Sequence, residues 1–276
     1  MPVEPWSVAT LAARATMTAY GQRQEIASAW HKIITKIMRR QSSIAITGVG
    51  GVGKTVLSDH LSGEGLKIDY AAPGRSVNRE RKELYSSRRL TALTVVPGQV
   101  SPQKDKSLDE LFDGQRRVDG VIHVVSNGFI TLREQDAREL AQEHNDLERF
   151  REFQRNKEVD DFKELIGHVK SSHRKGKGPS WLLLAVNKVD LYYEDTSLRS
   201  AYRHYAAPGG QFFACLDQLG ASLGRTDFEW DALPVCAALD HFIWEEEGVP
   251  SMLLPGQRNK LLLGLLKAID DRISTP

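Results

Sequence analysis

Apolar residues along this chain gather in short runs that do not alternate with polar positions. A continuous apolar run bounded by turn residues is typical of a strand that is buried on both faces. Four such stretches predict strands: SSIAITG (42–48), RVDGVIHVVSNG (117–128), WLLLAV (181–186) and ALPVCAAL (232–239). A further stretch, RRLTALTVVPGQ (88–99), is rich in β-branched residues and ends in a Pro-Gly turn, so it also predicts a strand.

Outside these strands, apolar residues recur at helical spacing. Helices are predicted over residues 7–40, 54–65, 132–171 and 259–273. Because strands and helices alternate, we expect an α/β fold in which helices cover both faces of a mostly parallel sheet. No linker divides residues 42–276, which we interpret as one domain preceded by an N-terminal helical extension, residues 1–41.

The composition excludes only a few classes of function. The chain has 276 residues, of which 41% are hydrophobic and 26% charged, and its formal net charge of +1 does not point to nucleic acid. Its two cysteines, Cys215 and Cys236, are too few for a disulfide framework and fit no metal-binding spacing. No secretory signal begins the sequence, and no apolar run reaches the length of a membrane span. We expect a cytoplasmic protein.

The stretch AITGVGGVGKTVLS (45–58) has the spacing of a phosphate-binding P-loop. Its glycines let backbone N–H groups turn toward a phosphate, and the following helix adds its N-terminal dipole. Lys54 is expected to reach the β- and γ-phosphate oxygens, and Thr55 to place its hydroxyl on Mg²⁺. The residues expected to contact the nucleotide here are Gly48, Val49, Gly50, Gly51, Val52, Gly53, Lys54, Thr55 and Val56.

A second motif indicates which nucleotide is bound. Asn187, Lys188 and Asp190 follow directly on the strand WLLLAV, and this NKVD sequence resembles the Asn-Lys-x-Asp motif of the Ras-like P-loop GTPases. A carboxylate at Asp190 can accept hydrogen bonds from both N1 and N2 of guanine, whereas adenine has no such pair of donors. The stem of Lys188 can lie over the base, and Asn187 can tie the motif to the P-loop. An ATP-using P-loop enzyme in which NKVD plays no part stays an alternative.

The resemblance covers about residues 42–273 and implies an architecture. It implies a six-stranded, mostly parallel sheet with the P-loop strand at its centre, helices on both faces and the ligand at the carboxyl ends of the strands. It also implies a role for Cys236, Ala237 and Ala238, which follow the next strand. Their loop is similar to the one whose backbone N–H contacts the guanine oxygen in this family.

The chain departs from the family at the end of the strand 88–99. The family carries Asp-x-x-Gly there: the aspartate orients a Mg²⁺-bound water, and the glycine N–H meets the γ-phosphate. This chain keeps the glycine as Gly98 but has Val95 at the aspartate position. Since valine cannot bond a hydrated metal ion, either Mg²⁺ is held more weakly or another acid serves. Asp105 and Asp109 are nearby in the sequence.

The resemblance implies further groups around the γ-phosphate. Gln99 directly follows the glycine, where a glutamine of the family orients the attacking water; a loop glutamine without a role is an equal interpretation. Ser76 is the candidate for the first-switch hydroxyl that meets Mg²⁺, although a solvated loop serine is the simpler interpretation. Arg75, Arg79 and Arg81 surround it, and one of them could stabilise charge on the transferring phosphoryl group or all could be solvated.

The predicted N-terminal helix carries an apolar stripe of Ile26, Trp30, Ile33 and Ile37. Packing on the protein's own surface is the simpler interpretation of this stripe. A docking face for a partner or for a membrane surface is the alternative, because six lysines and arginines stand against one acid over residues 14–40. No lipidation motif supports membrane contact.

Two main functional hypotheses follow. The first is a GTPase switch that binds GTP with Mg²⁺, hydrolyses it to GDP through Lys54 and Gln99, and changes its loops when the γ-phosphate leaves. The second is a module that holds guanine nucleotide and hydrolyses it poorly, which Val95 favours. We expect a protein effector in either case, and a homodimer could supply a missing catalytic group.

Overall fold

A single mixed sheet forms the centre of the molecule. The computed structural model describes residues 21, 23–33, 35, 43–61, 65, 70, 80–86, 89–98, 102–114, 117–131, 146–193, 205, 207–224, 228–244 and 247–274. The strands of the sheet are β1 (Ser43–Thr47), β2 (Glu80–Ser86), β3 (Arg89–Val95), β4 (Gly120–Val125), β5 (Trp181–Val186) and β6 (Glu229–Pro234). Their order is β2-β3-β1-β4-β5-β6; β2 pairs antiparallel with β3, and every other pairing is parallel. The P-loop strand β1 therefore lies inside the sheet, which confirms the predicted architecture.

Helices cover both faces of this sheet. They are α1 (residues 23–33), α2 (Lys54–Leu61), α3 (Pro102–Phe112), α4 (Leu147–Arg174), α5 (Gln211–Leu223) and α6 (Pro255–Ser274). The apolar side chains of α3, α4 and α5 join one buried cluster, and those of α1, α2 and α6 join another on the opposite face. The three-layer α/β fold expected from the resemblance is confirmed.

The two clusters separate because successive strand residues point to opposite faces. Ala45 on β1 belongs to the α3–α4–α5 side, while its neighbours Ile44 and Ile46 belong to the other side. On β4, Val121 and Ile122 divide in the same way. Every residue of β1, β4 and β5 is buried. Their continuous apolar runs reflect a sheet that helices cover on both faces.

The longest helix, α4, has clear signals at both ends. Asp146 caps its N-terminus by accepting a hydrogen bond from the backbone N–H of Arg149 at 2.8 Å. After Lys175 the chain turns through Gly176, whose φ is +71°, so the helix ends a few residues beyond the predicted range. The predicted helix over 132–171 is thus found from Leu147 onward, and residues 132–145 lie outside the described part of the chain.

Several elements differ from the sequence-based expectation. Strand β2 and helices α3 and α5 were not predicted. A two-stranded hairpin, β7 (Phe242–Trp244) with β8 (Glu247–Val249), was also missed. The strand expected over 232–239 is β6, which ends at Pro234. Residues 236–238, expected to contact the nucleotide, therefore lie after this strand and not within it. Proline is tolerated here because β6 is an edge strand.

The N-terminal helix packs on the sheet. Ile26, Trp30 and Ile33 are all buried, in the cluster that also contains Leu262 and Leu266 of α6. Burying a side chain of this size contributes roughly 1.5–3 kcal/mol, so the stripe is accounted for by packing within the chain. Ile37 lies outside the described residues. None of the helices that the structure describes is long and apolar enough to cross a membrane.

Candidate nucleotide-binding site

Three loops meet where parallel strands end. The P-loop follows β1, Asn187 and Lys188 follow β5, and Cys236 lies just beyond β6. Because β1, β5 and β6 run parallel in one sheet, their carboxyl ends share an edge. Ligands of open α/β sheets bind at this edge.

The P-loop backbone turns through left-handed conformations. Gly48, Gly51 and Gly53 have φ values of +129°, +83° and +93°, which side chains other than glycine rarely adopt. Helix α2 begins directly afterwards at Lys54, so its first N–H groups face the loop. The Lys54 Nζ donates to the carbonyl oxygens of Gly48 at 2.7 Å and of Val49 at 2.8 Å. Thr55 and Val56 follow and are half-buried.

Gly98 lies against this loop. The N–H of Gly50 donates to the carbonyl oxygen of Gly98 at 2.6 Å. A methyl group on Gly98 would collide with Lys54 Nζ and with the backbone of Val49 and Gly50. The structure therefore brings Gly98 to the phosphate end of the candidate site, beside the lysine.

Asn187 connects the P-loop to the loop after β6. Its Nδ2 donates to the carbonyl oxygen of Val52 at 2.8 Å, and its Oδ1 accepts from the N–H of Ala237 at 2.9 Å. The side chain is buried, and a methyl group on Gly53 would lie 2.6 Å from Nδ2. Asn187 thus makes the P-loop connection that the sequence predicts, and a second bond that it does not.

Lys188 is bound to a loop that the sequence analysis missed, residues 126–131 after β4. Its Nζ donates to the carbonyl oxygens of Phe129 at 2.6 Å and Gly51 at 3.1 Å, and to Thr131 Oγ1 at 2.9 Å. Burial lowers the pKa of Lys188 to about 8, against the favourable charge of Glu158. The acceptors are mostly backbone carbonyls, which leave no signature in the sequence.

Asp190 carries a buried carboxylate. Its residue is 1% exposed, and neither carboxylate oxygen has a hydrogen-bond partner among the residues that the structure describes. Ser251 and the thiol of Cys236 are nearby, but neither makes a hydrogen bond of ordinary geometry to it. Burial therefore raises the pKa of Asp190. A buried acceptor pair that lacks donors is costly, and a ligand with two adjacent N–H donors would remove that cost.

The loop after β6 is small and held close to Asp190. The Sγ of Cys236 lies 3.1 Å from the carbonyl oxygen of Ala238, and the N–H of Val189 contacts the carbonyl oxygen of Val235 at 3.4 Å. Burial raises the pKa of the Cys236 thiol far above its usual range, so this cysteine stays a protonated packing group. The backbone N–H of Ala237 in this loop donates to the side chain of Asn187.

The described residues do not form a Mg²⁺ site by themselves. Val95 is 4% exposed and packs in the apolar core, so the end of β3 presents an apolar side chain where the family has its aspartate. Asp105 is exposed, and Asp109 lies 3.6 Å from His168 on α4. Within the part of the chain that the structure covers, no three His, Cys, Asp or Glu residues cluster as metal ligands. Thr55 supplies a single hydroxyl, which alone does not make the hard oxygen shell that Mg²⁺ requires.

Several predicted residues cannot be placed. Ser76, Gln99, Arg75 and Arg79 lie outside the described residues, and Arg81 belongs to β2. Their roles around the γ-phosphate stay predictions.

Comparisons with known proteins concern the fold. No family model matches the sequence, and no curated protein matches it. The chain is similar to the solved structure of Toc33 from Arabidopsis thaliana in complex with GDP and Mg²⁺, with 13% identity, coverage of 92% of this chain and 96% of that one, and a TM-score of 0.45. It is also similar to Sar1 from Encephalitozoon cuniculi in complex with GDP, with 13% identity, coverage of 98% and 96%, and a TM-score of 0.40.

A third similar structure is the signal recognition particle receptor SRb-GTP/SRX complex from Chaetomium thermophilum, with 16% identity, coverage of 72% of this chain and 92% of that one, and a TM-score of 0.40. Identities and TM-scores of this size describe a likeness of fold and say nothing of what this chain binds.

Proposed function

We propose that this chain is a guanine-nucleotide-binding protein that hydrolyses GTP to GDP. One observation carries the proposal: among the residues that the structure describes, none donates a hydrogen bond to the buried acceptor pair of Asp190, which lies on a loop that Asn187 fastens to the P-loop. A P-loop alone is compatible with any nucleoside triphosphate. The position of Asp190 adds the choice of base.

The choice follows from the donors on the purine. Guanine presents N1–H and N2–H side by side, and together they would satisfy both oxygens of Asp190. Adenine has an unprotonated N1 and no amino group at position 2, so it would leave the buried carboxylate unpaired. An unpaired buried charged group costs several kcal/mol, which favours guanine strongly.

The phosphate end is supported by the P-loop geometry. Lys54 is held among the carbonyls of the loop, where its ammonium group can neutralise phosphate oxygens, and the N-terminus of α2 lies beside it. Gly98 lies against the same lysine. Gln99, which follows Gly98 in the sequence, is the residue we propose to orient the attacking water.

A second candidate function is a module that holds guanine nucleotide with little hydrolysis of its own. The buried Val95 at the end of β3 favours it, since the family's aspartate is replaced by a core side chain. In that case a protein partner or a second copy of the chain would have to complete the site before turnover.

Competition and single-turnover assays test these functions together. The protein is first titrated with a fluorescent GDP analogue in the presence of Mg²⁺ and challenged with GTP, GDP or ATP. We expect GTP and GDP to compete at least about 100-fold better than ATP; equal competition by ATP would overturn the proposal in favour of an ATP-using enzyme.

GTP-loaded protein is then followed for conversion to GDP. We expect Gln99→Ala to slow this step by about tenfold with binding intact, and Lys54→Ala to weaken binding itself. Intact GTP after hours on the wild-type protein would support the second candidate instead.

A further inference from the structure

Glu158 is a buried carboxyl group that the proposed nucleotide contacts do not use. It lies on α4 and is 1% exposed. Its Oε1 accepts hydrogen bonds from the backbone N–H of Ser126 at 2.7 Å and from the Ser126 hydroxyl at 3.0 Å, and its Oε2 accepts from the Tyr205 hydroxyl at 3.3 Å. An aliphatic side chain would fill the same space between helix and sheet without the cost of desolvating a carboxyl group. The presence of a carboxyl group at this buried position is therefore better explained by the groups that donate hydrogen bonds to it.

Glu158 holds the start of the loop 126–131. This loop leaves β4 through two left-handed residues, Asn127 with a φ of +52° and Gly128 with a φ of +79°. A turn of this kind directs successive N–H groups to one side, where a carboxylate can accept them. Burial raises the pKa of Glu158 to about 7, and its hydrogen bonds to the loop oppose that rise.

Arg151, about two turns earlier on α4, holds the other side of the same loop. Its Nε and Nη2 each lie 3.4 Å from the carbonyl oxygen of Asn127, and its guanidinium lies 4.2 Å from the centre of the Phe129 ring. Helix α4 therefore fixes the loop through a carboxylate that accepts a hydrogen bond from a loop N–H and a guanidinium that donates to a loop carbonyl oxygen.

The far end of the loop is part of the candidate site. Phe129 and Thr131 provide two of the three acceptors of Lys188, and the N–H of Thr131 donates to the carbonyl oxygen of Gly51 in the P-loop at 3.2 Å. A displacement of the loop would release both Lys188 and one side of the P-loop. Among the described residues Glu158 makes no hydrogen bond to the lysine or to the P-loop, although its charge favours the charged form of Lys188.

We propose that Glu158 is a positioning residue for guanine-nucleotide binding, acting through the loop 126–131 on Lys188 and the P-loop. The inference rests on the proposed function. It assigns a role in ligand affinity to a side chain on a helix behind the site. The expected signature is a loss of affinity together with a local loosening of this loop.

Four variants and two readouts test the role. Affinity for a fluorescent GDP analogue and amide hydrogen exchange of the nucleotide-free protein are measured for Glu158→Ala, Glu158→Gln, Ser126→Ala and the control Glu152→Ala, an exposed residue of α4. We expect Glu158→Ala to weaken GDP binding by about tenfold or more and to speed exchange in residues 126–131. Glu158→Gln keeps the acceptor for Ser126 and should bind within about threefold of the wild type.

Leu219→Ala on α5 separates this role from general destabilisation, because it opens a cavity in the core on the α4 side of the sheet. It should lower the unfolding temperature and leave GDP affinity unchanged. Wild-type affinity in Glu158→Ala, or an equal affinity loss in Leu219→Ala, would overturn the inference. If Glu158→Ala does not fold, Ser126→Ala decides: about a threefold loss of affinity with faster loop exchange supports the role, and no change refutes it. Failure of the wild-type protein to bind any guanine nucleotide would instead refute the proposed function.

Discussion

The Nδ1 atom of His123 lies 3.0 Å from the Oγ1 atom of Thr47, the last residue of β1 before the P-loop. On its other side, His123 Nε2 is 3.8 Å from a carboxylate oxygen of Asp161 on α4, and Asp161 pairs with Lys104 of α3 at 2.6 Å. A buried line of polar groups thus runs from the strand under the P-loop to two helices on one face of the sheet.

This arrangement predicts a pH dependence of stability. Burial lowers the pKa of His123 to about 4 from its ordinary 6.5, with Asp161 opposing the shift. Between these values the unfolded chain binds a proton that the folded chain does not, so the free energy of unfolding falls as pH falls through this window. From about pH 7 to about pH 4.5 we expect the wild type to lose about 2 kcal/mol more than His123→Gln.

Urea denaturation at a series of pH values measures this difference. The exposed His31 provides the control, since His31→Gln should follow the wild-type curve. Parallel curves for the wild type and His123→Gln would contradict the prediction.

Asp190→Asn is expected to exchange one base preference for another. The amide can still accept from N1–H but presents an NH₂ group where guanine carries its own, so guanine affinity should fall by about 100-fold. Xanthine has a carbonyl at that position, which can accept from the new amide, so the affinity of the variant for xanthine should rise. Competition between guanosine and xanthosine diphosphates measures the change, and an unchanged preference would show that Asp190 does not face the base.

Asn187→Ala is expected to separate two parts of the site. The substitution removes the hydrogen bonds to Val52 and Ala237 and leaves two buried backbone groups unsatisfied. We predict a loss of about 2 kcal/mol in the free energy of unfolding together with weaker GDP binding. Chemical denaturation and GDP titration measure the two effects; Asn156→Ala, at an exposed position of α4, should change neither.

Gly98→Ala is expected to disturb the P-loop without touching the base end. The new methyl group would collide with Lys54 Nζ and the backbone of Gly50. We predict at least about a tenfold loss of GDP affinity, measured by titration, because the loop has to shift away from its phosphate-binding geometry. Gly167→Ala on α4 is the matched control: nothing lies near its new methyl group, and alanine favours the helix by about 0.5–1 kcal/mol. Equal affinity for the two variants would contradict the prediction.

The parts of the fold and site that were predictable are those that depend on the type and spacing of residues along the sequence. The apolar runs around Ile44 and Ile122 identify strands buried on both faces, and the spacing of Gly48, Gly53 and Lys54 identifies the P-loop. The edge strand β2 was missed because its sequence, ERKELYS, is charged and it pairs on one side only.

Contacts between distant residues were not predictable. Glu158 looks in the sequence like any other acid of a charged helix, and only the packed fold shows that it is buried against Ser126. Lys188 was expected to lie over a base, but its contacts to Phe129 and Gly51 depend on backbone carbonyls. Periodicity and spacing report local structure, so they do not reveal such tertiary contacts.

The two hydrogen bonds of Asn187 also determine when the chain becomes able to bind nucleotide during its synthesis. They join positions separated by 135 and 50 residues in the chain. Domains acquire their long-range contacts only after the partner segments have been made. The P-loop is therefore translated long before Ala237 leaves the ribosome, and the base-recognition end of the site closes only after β6 and the loop that follows it have been made. A nascent chain truncated before β6 should fail to retain guanine nucleotide even though its complete P-loop has emerged.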